Sequence, residues 1–361
     1  MKEFRTWRLA LTASGCFLGA GYVSGQELWK FFGAFGLPGF WGRVLALAVQ
    51  LVFVVLLLRL GQKTGITSLD RALIPGPHPL LQQLAGIAQI LFLFGVYVVM
   101  AAGAGALTRQ LFSLPAWIGS ALFCAAATVI SFRGMDGLAR VCAVLVPGMI
   151  LVSLAISAMT IWHAGFSTIG HLKPTNTNPV LPNWWIAALT YVSYNIFGAV
   201  GVLTPIGPHV PDGKTARRGS ALSVLLLLLI SAGILLAMAA APESASTELP
   251  MLALADVLSP VLGYVYAALL LCGMLGTSVS FSVAISFYLV GRVPVLAPRR
   301  RLLMAGLSVL AFAGSLLGFG DLVGTVYPAF GYLGFVVMAC ILAHWIKVKK
   351  ADKAASQEPS P

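Results

Sequence analysis

Long apolar stretches recur along almost the whole chain and restrict what it can fold into. A helix needs about 20 mostly apolar residues to cross the hydrocarbon core of a membrane. Only 9% of the 361 residues are charged, whereas a soluble domain has about 25%. We therefore predict an all-α integral membrane protein. Its ten transmembrane helices are expected at residues 9–35, 40–58, 80–107, 115–131, 137–162, 184–205, 220–241, 261–290, 302–319 and 322–345.

The basic residues indicate how these helices are oriented. If the ten stretches alternate in direction, 19 of the 23 Lys and Arg residues fall on one side and four on the other. Cytoplasmic loops are enriched in Lys and Arg, so both termini are expected in the cytoplasm and the protein in the cell membrane. The net charge of +12 is spread between apolar stretches, which argues against a surface that binds nucleic acid.

The cysteines and histidines give no sign of a cofactor site or of catalysis. All five cysteines lie within apolar stretches without a CxxC pair, so neither a disulfide framework nor a zinc site is expected. The histidines fall in loops or at helix ends, without an HExxH or Ser–His–acid pattern. We therefore expect neither an enzyme nor a cofactor.

The ten predicted helices fall into two halves of five. The third and eighth are the two longest, and the fifth and tenth each contain a proline, Pro147 and Pro328. Because five is an odd number, the second half must cross the membrane in the opposite direction, which predicts a 5+5 inverted repeat. The expected units are a first repeat at 1–162, an outer loop at 163–183, a second repeat at 184–345 and a disordered, polar cytoplasmic tail at 346–361.

Helices 1 and 6 are both predicted to be discontinuous. The first contains four glycines between residues 15 and 25, and the sixth contains Gly198, Gly201 and Pro205. Interrupted helices at matching places in two inverted halves indicate a solute site at the bilayer midplane, as in transporters. Close helix packing through small residues is the alternative.

The motif SGQE, residues 24–27, favours a break in the first helix. It has the form of a capping box, with Ser24 as the N-cap and Glu27 at the third helical position. The motif predicts that the chain unwinds near residues 19–23 and that a second half-helix begins at Ser24. Unwound backbone within a membrane must line a cavity that is buried in protein, so the break predicts a binding site.

The two half-helix ends offer complementary partial charges. The first, ending near Leu18, would present free carbonyls to a cation, and the second, starting at Ser24, would present free N–H groups to an anion. A zwitterionic amino acid, or a cation together with an anionic solute, fits both ends. Glu27 is either a capping residue or a site for a substrate ammonium or a proton. Lys30 and Asp321 are either a gate pair or two interfacial charges.

The stretch GAGYVSGQE, residues 19–27, resembles the signature of the YkvI-like membrane proteins of the amino acid, polyamine and organocation transporter superfamily. The resemblance implies a LeuT-like fold, with helices 1 and 6 lining the solute site and a sodium ion held beside them. Cys16 stands where the sodium-coupled neurotransmitter-type relatives have asparagine, and Gln26 and Glu27 have no counterpart there. The implied sodium ligands are Gly15, Leu18, Met274, Thr277 and Ser278.

The residues and the resemblance together predict a secondary transporter that couples a small amino-acid-like or nitrogenous solute to Na+ or H+ by alternating access. A solute sensor on the same fold is the alternative. Tyr97 either faces the site, as a tyrosine does in some relatives, or packs between helices. The outer stretch LPMLALADVL is too short to span and is either a re-entrant lid or an interfacial helix. The predicted solute-binding residues are Gly19, Ala20, Gly21, Ser24, Gln26, Glu27, Tyr97, Ser193, Tyr194, Asn195 and Gly198.

Overall fold

The computed structural model describes residues 5–66, 72–74, 78–133, 138–165 and 172–355, and these residues form helices joined by turns and loops. The helices are, in chain order, α1 Thr6–Gly15, α2 Ala20–Val23, α3 Gln26–Phe31, α4 Leu37–Thr64, α5 Pro79–Phe112, α6 Ala116–Arg133, α7 Leu138–Ala164, α8 Trp184–Ile206, α9 Gly213–Ala240, α10 Pro250–Leu258, α11 Pro260–Arg292, α12 Arg300–Ser315 and α13 Phe319–Ala355.

Seven helical stretches within the described residues are long and apolar enough to cross a membrane. They lie in α4, α5, α7, α8, α9, α11 and α13. The other three predicted spans correspond to α6, whose apolar part is shorter, to the 16-residue α12 and to the broken segment α1–α3. The prediction of an all-helical, multi-pass membrane protein is confirmed, while the count of ten spans stays a prediction.

Helix α8 lies between α4 and α13 and packs on both more extensively than on any other helix that is described. Glycines permit this closeness, because a Cβ at Gly61 of α4 would overlap the carbonyl oxygen of Thr204. Similarly, a Cβ at Gly334 of α13 would lie 2.5 Å from the carbonyl oxygen of Ser193 in α8. The backbones therefore approach directly, as in other membrane-helix interfaces built on small residues.

The packing of the two halves follows one pattern. The start of the first predicted span, α1, packs on the seventh, α9, and the sixth, α8, packs on the second, α4. Exchanging each helix for the one five places away converts the first of these contacts into the second. A 5+5 repeat predicts this relation between the two contacts. These contacts do not establish the repeat, which stays a prediction.

The predicted interruption of helix 6 is wrong. Helix α8 runs without a break from Trp184 to Ile206, and the side-chain amide of Asn195 donates to the Tyr191 carbonyl one turn earlier (2.9 Å). An isolated glycine within a helix costs only about 1 kcal/mol, so Gly198 leaves the helix intact. Pro205 lies within the last turn of α8, and a 3-10 turn at Gly207–His209 follows.

The predicted disordered tail is wrong for residues 346–355. Helix α13 continues to Ala355 and, with 37 residues, is longer than α5 and α11, which have 34 and 33. The candidate membrane span of α13, Phe319–Ala351, has 33 residues, against 34 in α5 and 33 in α11, so the expectation that the third and eighth spans are the longest is not contradicted. Lys and Ala are good helix formers, so they extend a helix that is already formed. Residues 356–361 lie outside the described part of the chain.

Candidate functional site

The first predicted span is interrupted at two places. Helix α1 ends at Gly15, residues 16–19 are not helical, and α2 is a single turn. Residues 24–25 then separate α2 from α3. The sequence predicts one unwound segment near residues 19–23, but this region holds the turn α2 and the chain unwinds on either side of it. We call residues 16–19 the first break and residues 24–25 the second break.

Gly25, rather than Ser24, caps helix α3. Gly25 has a φ of 85°, a left-handed conformation that costs a residue with a Cβ about 1–2 kcal/mol. The Ser24 hydroxyl donates to the Gly21 carbonyl (2.9 Å) and accepts a long hydrogen bond from the Gln26 N–H (3.4 Å). The Glu27 carboxylate turns towards α8 instead of back towards Ser24. The predicted capping box is wrong, because glycine supplies the turn and a hydroxyl group on α8 binds the carboxylate.

Groups from distant helices seal the second break. The Tyr266 hydroxyl of α11 donates to the Val23 carbonyl, and the Met251 N–H of α10 donates to the Ser24 carbonyl at 2.9 Å. Met251 is fully buried, and its Cγ lies 3.1 Å from the position that a Cβ on Gly25 would take. The stretch predicted as a lid or an interfacial helix is thus α10, which packs directly over the second break.

The first break is left open towards a cavity of about 330 Å³. No described residue donates a hydrogen bond to the carbonyls of residues 15–18. The same residues line the cavity, together with side chains from α3, α5, α7, α8, α11 and α13. Four consecutive free carbonyls form a concentration of partial negative charge, so this end of the cavity suits a cation.

The predicted solute-binding residues fall into two groups. Gly21, Ser24 and Gln26 lie at or beside the second break and do not line the cavity, while the side chain of Ala20 lies outside the described part of the chain. Those that line the cavity are Gly19, Glu27, Tyr194, Asn195 and Gly198.

Glu27 and two tyrosines form one wall of the cavity. Glu27 is 4% exposed, and its Oε1 accepts a hydrogen bond from the Tyr194 hydroxyl. The Tyr194 ring stacks on the Tyr327 ring, with centroids 4.9 Å apart and planes inclined by 24°. The second carboxylate oxygen packs over Gly21, where a Cβ would lie only 2.8 Å from it. Glycine at this position therefore makes room for the carboxylate.

Tyr97 and Ser193 lie away from the cavity lining. The Tyr97 hydroxyl, fully buried, is hydrogen-bonded to the Ser308 hydroxyl at 2.7 Å. The Ser193 hydroxyl is bonded to carbonyls of its own helix and of Gly331 in α13. In this structure both residues therefore join helices to one another.

The implied sodium ligands lie close together, but not all reach the cavity. Gly15, Leu18 and Thr277 line it, whereas Met274 and Ser278 are fully buried beside it. The Thr277 hydroxyl donates to the carbonyl one turn earlier in α11 (3.1 Å). The Ser278 hydroxyl has no hydrogen-bond partner among the described residues. In the same part of the chain, no group of three His, Cys, Asp or Glu side chains could hold a metal ion.

Lys30 and Asp321 form no ion pair with each other in the described structure. Lys30 is half-buried near Gly324, and Asp321 is exposed at the start of α13. The gate pair therefore stays a prediction. An ion pair on the predicted outer side instead joins Arg109 at the end of α5 to Glu248 before α10, at 2.6 Å.

Arg43 is the buried charge whose position the sequence does not predict. The topology predicted from the sequence places Arg43 among the four basic residues of the outer side. In α4 of the structure its side chain is only 3% exposed. Its Nε donates to the Ser231 hydroxyl (2.9 Å) and one Nη to the Tyr22 hydroxyl (2.7 Å). The guanidinium lies 5.1 to 5.4 Å from the ring centroids of Tyr22, Phe32 and Tyr191. An arginine within an apolar stretch is the signal that could have identified it.

Comparison with known proteins identifies relatives along almost the whole chain. No protein-family model matches the sequence. The uncharacterized membrane protein YkvI of Bacillus subtilis (strain 168) is 24% identical over 351 residues, which cover 97% of this chain and 97% of YkvI. The uncharacterized protein YyaD of the same organism is 27% identical over 348 residues, which cover 95% of this chain and 97% of YyaD.

Solved structures share the arrangement of helices. The inward-facing conformation of Mhp1 has a TM-score of 0.67 at 14% identity, covering 94% of this chain and 78% of that one. MhsT in complex with L-phenylalanine has a TM-score of 0.65 at 17% identity, covering 93% and 91%. A Na+-coupled sialic acid symporter has a TM-score of 0.61 at 14% identity, covering 92% and 79%. The resemblance carried by GAGYVSGQE is thus confirmed: the chain is similar throughout to the YkvI-like membrane proteins and has the LeuT-like transporter fold.

Proposed function

We propose that the chain is a secondary transporter, which moves a small nitrogenous or amino-acid-like solute by alternating access and couples it to Na+ or H+. The observation that carries the proposal is the run of carbonyls from Gly15 to Leu18 that have no hydrogen-bond donor among the described residues and lie at a cavity. Unwound backbone is unfavourable within a membrane unless it is buried in protein or lines a water-filled cavity. Transporters use such half-helix ends to hold solutes and ions.

A sodium ion at the first break would be a co-transported substrate. It would take carbonyl oxygens from Gly15 and Leu18 and hydroxyl oxygens from Thr277 and Ser278. The unpaired, fully buried Ser278 hydroxyl supports this arrangement, because leaving such a group unsatisfied costs about 1–3 kcal/mol. A cation bound there would remove that cost.

A proton on Glu27 is the second candidate for coupling. A carboxylate buried in a membrane-spanning segment is a functional hypothesis by default, and Glu27 lies at the cavity wall. Measuring uptake into proteoliposomes under a Na+ gradient or a pH gradient distinguishes sodium coupling from proton coupling. Sodium coupling requires uptake that follows the Na+ gradient at constant pH, and proton coupling requires uptake that follows the pH gradient without Na+.

Both termini would lie in the cytoplasm, and the protein in the cell membrane. The unequal distribution of Lys and Arg supports this orientation, and the packing of α1 on α9 and of α8 on α4 supports the inverted repeat. Reporter fusions at each terminus test the topology. Activity of a periplasmic or extracellular reporter at either end would contradict it.

Counterflow in proteoliposomes tests transport against the alternative of a sensor. Amino acids, amines and nucleobases are first screened for those that raise the melting temperature of the purified protein. Vesicles are then loaded with an unlabelled hit and exposed to trace labelled hit outside. Saturable accumulation is expected for a transporter, whereas binding without accumulation would favour the sensor.

A further inference from the structure

We propose that the solute is an organic cation without a carboxylate, such as a protonated amine, and that its ammonium group binds at Glu27 against the tyrosine rings. The inference rests on the proposed function and narrows its solute class. It departs from the expectation that a zwitterion fits the site, because the described lining of the cavity has an acidic side chain and no basic one.

The charges at the cavity favour a cation. Among the described residues that line it, Glu27 is the sole Asp, Glu, Lys, Arg or His. Its Oε1 accepts a hydrogen bond from Tyr194, and a carboxylate has about four acceptor sites in total. The free carbonyls of residues 15–18 add partial negative charge at the same cavity. A solute that brings positive charge is therefore attracted from both sides.

Aromatic rings beside Glu27 suit an ammonium group. Tyr194 and Tyr327 line the cavity as a stacked pair, and Phe92 and Phe281 line it as well. A cation placed over an aromatic face gains about 0.5–2 kcal/mol, and cages of such rings recognise ammonium ligands. A carboxylate beside aromatic faces thus provides both ion pairing and cation–π contacts.

Among the described residues, no cationic side chain lines this cavity to receive a solute carboxylate. The Arg43 guanidinium donates to Ser231 and Tyr22 and has one Nη without a hydrogen-bond partner among the described residues, but Arg43 does not line the cavity. Helix α3 has only six residues, and the Gln26 N–H is already bonded to Ser24. A solute carboxylate in the cavity would share it with Glu27 and would find no cationic side chain in its lining, which is unfavourable for a charge removed from water.

Pairs of compounds that differ by one carboxylate test the inference. The probes are ethylamine and alanine, isobutylamine and valine, isopentylamine and leucine, phenethylamine and phenylalanine, and putrescine and ornithine. The N-acetylated amines serve as uncharged controls. Binding is measured by the melting temperature of the full chain across a concentration series, with and without Na+. We expect at least one amine to bind ten times more tightly than both its amino acid and its acetylated form.

Variants link that preference to the site. Glu27→Gln should weaken binding of the amine at least tenfold, and Glu27→Asp should restore part of it. Glu243→Gln is the matched control, because Glu243 is exposed in the loop before α10. Tyr327→Leu should weaken binding several-fold, whereas Tyr327→Phe, which keeps the ring face, should not. The melting temperature without ligand reports whether each variant is folded.

The proposal is overturned if no amine in the panel binds more tightly than its amino acid, or if Glu27→Gln, while folded, binds the amine unchanged. Counterflow keeps this result separate from the proposed function. Accumulation of an amino acid with no preference for the amine would leave transport standing and reject the organic cation. Selective amine binding without accumulation would support the organic cation and reject transport.

Discussion

The two breaks in the first span lie only a few residues apart, but their backbone groups have different surroundings. At the second break, Tyr266 and Met251 bond the carbonyls of Val23 and Ser24, and α10 covers the turn. At the first break, the carbonyls of residues 15–18 are without partners among the described residues and line a cavity. Loss of helical hydrogen bonds is therefore not enough to make a site. The carbonyls of the second break are bonded to other helices, whereas those of the first break are available to a ligand.

Adding the same side chain at both breaks gives the largest contrast. Gly25→Val should lower stability by about 2–5 kcal/mol, because a β-branched residue would have to adopt a left-handed conformation in a packed site. Its Cβ would lie 2.8 Å from the Met238 sulfur. Gly19→Val should unfold near the wild-type temperature, since a Cβ there meets no atom within 4 Å. Thermal unfolding in detergent measures both, and equal losses would remove the distinction between the breaks.

Removing the hydroxyl that seals the second break tests whether it is structural. Tyr266→Phe leaves the buried Val23 carbonyl without its donor and should cost about 1–3 kcal/mol. The Na+ dependence of ligand binding should stay as in the wild type. Tyr264→Phe is the matched control, because Tyr264 is on the same helix and 53% exposed. A change in the Na+ response of Tyr266→Phe would connect the second break to the ion site.

Removing hydroxyls at the first break should affect ion binding rather than stability. Thr277→Ala together with Ser278→Ala should raise the Na+ concentration for half-maximal stabilisation about tenfold, which corresponds to about 1.4 kcal/mol. Thr325→Ala is the control, because the Thr325 hydroxyl also donates to a carbonyl one turn earlier, on an exposed face of α13. Melting curves over a series of Na+ concentrations, with K+ added to keep the ionic strength constant, measure this half-maximal concentration. An unaltered Na+ response would exclude these ligands.

A single methyl group between the breaks should have the smallest effect. In Gly21→Ala the new Cβ would lie 2.8 Å from Glu27 Oε2, and the flexible carboxylate should move away. We expect solute affinity to fall about three- to tenfold with little change in stability, since the atom displaced is the end of a side chain. Gly306→Ala, with open space at its Cβ, is the control. Unchanged affinity would show that the position of the carboxylate does not matter for binding.

The sequence predicted the helical architecture and the interruption of the first span, because apolar length and clustered glycines are local signals. It misplaced the N-cap of α3 by one residue, since SGQE matches a capping box while Gly25 fits the turn better. It also predicted from Gly198, Gly201 and Pro205 an interruption of the sixth helix that α8 does not contain. Which carbonyls remain unbonded could not be predicted, because the donor Tyr266 lies 243 positions from Val23. The burial of Arg43 likewise depends on Tyr22, Tyr191 and Ser231, which lie on three other helices.

Helix α8 touches α4 and α13 through glycines, with carbonyl oxygens of α8 set against positions that have no side chain. Nothing flexible lies between the three backbones at these points, so one cannot slide past another without steric collision. The trio should behave as a single stiff block, and Tyr194 and Tyr327 belong to it. We therefore expect that a molecule enters the cavity when α1–α3 move relative to this block, while Tyr194 and Tyr327 keep their positions within it.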